Sequence, residues 1–91
     1  MRVYRVYTIE ADKAVSERFY TIEKLVEYLI SKDAYYRHYD QPITKEFIEM
    51  YAERGCVDVI IPASKEESIW ELMGVKFEDE LLRIYELDII K

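Results

Sequence analysis

Asparagine is missing from this 91-residue sequence, and glutamine occurs once, as Gln41. Scarce thermolabile amides beside abundant Glu, Lys, Arg, Ile and Tyr are a compositional mark of hyperthermophile proteins, so a thermophilic source is one expectation. Only two glycines are present, Gly55 and Gly74. That leaves no glycine-rich phosphate loop and no dinucleotide fingerprint, which excludes the nucleotide-binding folds built on them. A single cysteine, Cys56, rules out an internal disulfide. One histidine, His38, well apart from it in sequence, makes a Cys/His zinc site unavailable, and no cofactor is expected. Cys56 stands beside Val57 in a strand-like run, where a buried, inert thiol is expected, in keeping with a reducing compartment. No apolar run exceeds three residues, as in Val59-Ile60-Ile61, against the roughly 20 needed to span a bilayer. Nothing behind Met1-Arg2-Val3-Tyr4-Arg5 resembles the apolar part of a signal peptide, so the expected location is cytoplasmic, with no membrane partner.

What is present describes a folded domain. Apolar residues make up 51% of the chain and charged residues 35%, a balance that supports a core and is not that of a disordered chain. The length suits a single domain over residues 1–91. The net charge of −6 is unevenly spread: residues 1–45 hold eight Lys/Arg against seven Asp/Glu, and residues 46–91 hold five against twelve. Phosphate contacts need cations, so the second half disfavours direct nucleic-acid binding, and none is expected.

Arg2–Ile9 is rich in β-branched and aromatic residues and reads as an interior strand, because both of its faces are partly apolar. Ala11-Asp12-Lys13 suits a turn, with Val15–Tyr20 returning as a hairpin partner. Thr21 is a candidate N-cap with Tyr20 and Leu25 as its hydrophobic staple. Ile22, Leu25, Val26, Leu29 and Ile30 then follow the spacing of an amphipathic helix. After Pro42, Thr44 caps a second helix whose apolar stripe is Phe47, Ile48, Tyr51 and Ala52, with Gly55 beyond its end. Cys56–Ile61 reads as a short interior strand. Ser64 and Glu67 form a capping box for a third helix over about residues 65–73, stopped by Gly74. The tail allows either a helix stripe or a strand in which Leu81, Arg83, Tyr85, Leu87 and Ile89 share one face, and its β-formers favour the strand. The order is ββα-α-β-α-β: an α+β domain with three helices packed on a mostly antiparallel sheet of three to four strands.

Two features carry functional interest. The stretch from Ser31 to Pro42 holds Tyr35, Tyr36, Arg37, His38 and Tyr39, and neither neighbouring helix requires it. Tyrosine and arginine are the residues that concentrate binding energy at interfaces. Glu46, Glu49 and Glu53 are three and four apart, so they line one ridge of the second helix. Such a row can imitate a phosphate backbone, although its ordinary reading is a solvated helix face. His38 is the one conventional general base near neutral pH, flanked by Asp33 and Asp40, but its ordinary reading is a loop histidine.

The leading expectation is a small, acidic, non-catalytic protein-binding module. It would act as an inhibitor or adaptor of the viral or mobile-element type, docking on a basic nucleic-acid-binding surface of a partner protein. The alternatives are a homodimeric scaffold, associating through a sheet edge or the tyrosine-rich stretch, and a small-ligand binder or enzyme using His38.

Overall fold

The computed structural model describes residues 2–63 and 79–88. In chain order these form β1 (Arg2–Glu10), β2 (Lys13–Thr21), α1 (Ile22–Ser31), β3 (Tyr35–Tyr36), α2 (Lys45–Glu53), β4 (Cys56–Ile61) and β5 (Glu80–Asp88). The strands make one sheet in the order β2-β1-β5-β4-β3, antiparallel throughout. The α+β class holds, but the sheet has five strands, not three to four. Two helices lie among the described residues; the expected third helix and its Gly74 stop fall outside them. The tail is a strand.

Both expected N-caps form. The Thr21 hydroxyl accepts from the Lys24 amide at 3.4 Å and Thr44 from the Phe47 amide at 3.2 Å, each satisfying a donor that the first helical turn leaves open. The helices lie on one side of the sheet, α1 against β2 and β1, α2 against β4 and β5. Strand alternation points Tyr4 and Val6 of β1, Val57 and Val59 of β4, and Leu82 and Ile84 of β5 at them. Leu25, Leu29 and Ile48 close the core from the helix side, all fully buried, each worth about 2 kcal/mol of burial before chain entropy is subtracted.

The α1 stripe is narrower than its spacing suggests: Ile22, Leu25 and Leu29 are buried, whereas Ile30 is 57% exposed. A helix lying on a sheet covers only the arc that faces it, and Ile30 lies beyond that arc. The tail strand turns its two faces in opposite directions. Its alternating set Leu81, Arg83, Tyr85 and Leu87 lies on the face away from the helices, and Leu82 and Ile84 enter the core. Cys56 is exposed on that same outer face, not buried as expected.

Two tight spots use left-handed backbone without glycine. The two-residue hairpin turn has Ala11 at φ 50° and Asp12 at φ 64°, as a turn matching the strand twist requires. Asp33, at φ 55°, follows the C-cap Lys32 of α1. The Asp33 amide donates to Ile30 O at 3.1 Å and the Ala34 amide to Leu29 O at 3.0 Å, the paired bonds of a Schellman motif. A β-carbon in this region costs of order 1 kcal/mol, which glycine avoids. Ala11→Gly and Asp33→Gly should therefore each stabilise the fold by about 0.5–1 kcal/mol, part of the gain being offset by the looser unfolded chain, read as a raised denaturation midpoint at unchanged m-value.

Burial raises the pKa of Tyr36, with a weaker opposing bond from the Thr44 backbone. Burial likewise raises that of Tyr4, helped by Glu86 and Glu49 and opposed by Arg2. A phenol that keeps its proton in the fold but loses it when unfolded makes stability fall as pH climbs above about 10, the unfolded value. Chemical denaturation from pH 8 upward should show a plateau and then a decline there, and Tyr36→Phe should flatten that decline.

Candidate functional site

The tyrosine-rich stretch has a structural role that its sequence does not announce. After the Schellman motif, Ala34 packs on the core, and Tyr35 and Tyr36 pair with Ile60 and Val59 as a fifth strand. The Arg37 amide continues the ladder to Asp58 O at 3.0 Å. Tyr36 points into the core, 3% exposed, stacked on Phe47 at 4.3 Å, and its hydroxyl accepts from the Thr44 amide at 3.4 Å. It is thus a core residue and offers no contact surface. Tyr39 leans on α2, its ring 5.2 Å from that of Phe47 and 4.6 Å from that of Tyr51, and stays 40% exposed.

Tyr35, Arg37 and His38 lie elsewhere, at the rim of the outer sheet face. There Asp58, 9% exposed, receives a bidentate fork from Arg83: Nε to Oδ1 at 2.9 Å and Nη2 to Oδ2 at 3.2 Å. This bond, with the charge of Asp58, holds the Arg83 guanidinium firmly protonated. Arg37 Nη1 comes within 3.7 Å of Oδ2, too long for a hydrogen bond but close enough for attraction, and His38 Nε2 lies 3.8 Å from the same oxygen. Asp33 and Asp40 show no ion pair with His38; Asp58 is the carboxylate beside it.

The outer face is laid out in rows by the strand register. One row runs Phe19, Arg5, Tyr85, Cys56, and the next Glu17, Tyr7, Arg83, Asp58. Rings and guanidinium groups alternate: Tyr7 meets Tyr85 edge-on at 5.7 Å, and Arg5 lies 5.7 Å from the Phe19 ring and 6.0 Å from that of Tyr7. Val3 and Leu87 pair beyond one row, Ile9, Leu81 and Ile60 beyond the other. Sequence reasoning passed over Asp58, Arg83, Arg5, Phe19, Tyr7 and Tyr85 as a group. The available signal was that β1, β4 and the tail are apolar on both faces while the helices supply cover for one.

The glutamate ridge is divided. Glu46 and Glu53 are exposed. Glu49 is half-buried, paired with Lys45 at 4.0 Å, and close enough to Tyr4 to help raise its pKa. At about 100° per residue, Glu46 and Glu53 share one flank of α2, Phe47 and Tyr51 fall on the other, and Met50 rides the crest between them. Met50 is 42% exposed.

No protein-family model matches the chain, and no curated protein or solved structure is significantly similar to it.

The Asp58–Arg83 pair joins β4 to β5 across 25 residues of sequence. Asp58→Ala should cost about 1–3 kcal/mol, reduced from the fully buried case because Arg83 keeps a third of its side chain in water. A double-mutant cycle with Arg83→Gln should return a coupling of about 1–2 kcal/mol by urea denaturation.

Proposed function

We propose that the chain is a small, acidic, non-catalytic protein-binding module, an inhibitor or adaptor that docks through its helix layer on a basic, nucleic-acid-binding surface of a partner protein. One observation carries the reading. The outer side of α2 presents Met50 between the ring cluster of Tyr39, Phe47 and Tyr51 and the exposed carboxylates of Glu46 and Glu53. An apolar and aromatic centre with a charged margin is the anatomy of a protein interface.

The neighbouring helix widens the acidic margin. Glu23 of α1 reaches Lys45 at the start of α2, 3.8 Å away, so the two helices share one surface. Glu27 adds a further exposed carboxylate on α1. A field of this sign speeds encounter with cationic partners and excludes phosphate backbones. In this reading Tyr39 serves as contact surface, Tyr36 holds the ring cluster in place, and Glu49 props the base of α2. Tyr35, Arg37 and His38 belong to the other face.

The test is capture on the immobilised chain from a cell extract at low and high salt, compared with a Glu46→Gln/Glu53→Gln variant and a separate Met50→Ala variant. Both should fold normally, since these side chains are exposed. Basic nucleic-acid-binding proteins should be retained at low salt and lost at high salt. The Gln variant should hold them several-fold less and with a flatter salt dependence, while Met50→Ala should weaken capture at every salt concentration. Equal retention by all three proteins would falsify this assignment of the contact surface.

A further inference from the structure

The helices cover one face of the sheet; among the described residues, nothing covers the other. A water-facing side of an antiparallel sheet ordinarily alternates to polar residues. Here it keeps the half-buried Val3, Ile9, Ile60, Leu81 and Leu87 at the two ends of rows that set Phe19, Tyr7 and Tyr85 among paired charges, with Phe19 53% and Tyr85 37% exposed. Apolar and aromatic side chains kept on a face that nothing among the described residues covers mark an interaction site.

The charges on the face say what kind. Arg83 is matched by Asp58 at 2.9 Å and Arg5 by Glu17 at 3.8 Å. Each guanidinium within the rows has its own carboxylate, so the face is near neutral, and among the described residues Arg37 at the rim exceeds the balance. A nucleic-acid strand would need a surplus of cations across the rows. Two near-neutral apolar faces of the same kind meet without net repulsion, and their stacked sheets would pack about 10 Å apart.

The area is sufficient. Strands about 4.8 Å apart and up to about 30 Å long give a face of about 600 Å² per copy, hence about 1,200 Å² for a pair, above the roughly 1,000 Å² that a specific interface requires. The outer edge of β2, the other route to pairing, is poorly suited. The register slips between Thr8 and Ile9, leaving Val15 as an extra residue in the strand, and a bulge twists a free edge away from a second ladder.

The geometry points to a homodimer in which two copies pack by their open sheet faces across a two-fold axis, with the helix layers outward. The contact is the face, not the sheet edge or the tyrosine-rich stretch that the sequence suggested. Its outward helix layers would offer two copies of the acidic surface, but the dimer does not depend on that surface binding anything.

Cys56 reports on this directly, because its thiol lies on the open face in the row of Tyr85. Sedimentation velocity and the rate of thiol reaction with dithiobis(nitrobenzoic acid) are measured together over a wide range of protein concentration. The mass should double as concentration rises, and the thiol rate should fall in step, by about tenfold when nine-tenths of the chains are paired. Phe19→Glu and Tyr85→Glu, both at exposed positions, should stay monomeric with a fast, concentration-independent thiol; Met50→Glu on the helix side should behave as the parent. Three results overturn the proposal. A monomer with a fast thiol throughout leaves the face bare. A monomer with a slow thiol throughout means cover from within one chain. A dimer whose thiol stays fast has formed through another surface.

Discussion

β5 is the last strand of the described residues and the middle strand of the sheet, and everything else in the fold waits on that placement. It pairs along its length with β1 on one side and with β4 on the other. Take it away and the domain becomes two separate ribbons, β2-β1 and β4-β3, each too small to be stable in water alone. The core has the same dependence. Leu82 and Ile84 lie between the residues that α1 presses against on β1 and those that α2 presses against on β4. The Arg83–Asp58 fork ties β5 to β4 on the opposite side, so one strand is held from both faces at once. At the end of that pairing, the Ala63 amide donates to Asp79 Oδ1 at 2.9 Å and fixes where the chain leaves β4 and where it enters β5.

The local elements were legible in the sequence because their causes are local. Thr21 and Thr44 announce helix starts through a hydroxyl three residues from an open amide, and helical spacing gives the inward arc of each helix to within one residue, Ile30 being the excess. Strand periodicity is weaker evidence. It separates two faces but does not say which one is covered, and in β1, β4 and β5 both faces are apolar enough to pass as the inner one. The alternation of Leu81, Arg83, Tyr85 and Leu87 marks one face of β5 without saying that it is the open one, and Cys56, expected buried, lies on it. β3 was invisible for another reason: two residues have no period. Its existence follows from the edge of β4 being within reach of the chain leaving α1, a fact of tertiary geometry.

The candidate site divided along the same line. Glu46 and Glu53 are exposed as their helical spacing implies, and Tyr39 is beside them because the chain passes α2 on its way to Thr44. Tyr36 and Glu49 carried the same sequence signal and serve the interior. Asp58 and Arg83 are 25 residues apart and neither stands out by its neighbours, so only the β4–β5 register brings them together. What emerges is a two-sided domain. Its helix side sets exposed carboxylates beside an aromatic and methionine centre, and its sheet side is near neutral, with rings and paired charges.

The position of β5 also fixes the order in which the protein can acquire structure while it is being made. The β1-β2 hairpin, α1, α2 and β4 all emerge from the ribosome before the strand that joins them, so the hairpin and the apolar faces of the helices must exist for a time without their common support. Closing the sheet then requires β5 to insert between two preformed edges, a non-local step of the kind that makes folding slow. Until it does, the edges of β1 and β4 are open to any other nascent strand. The Val15 bulge guards only the β2 edge. The edges of β1 and β4 have no such guard until β5 arrives.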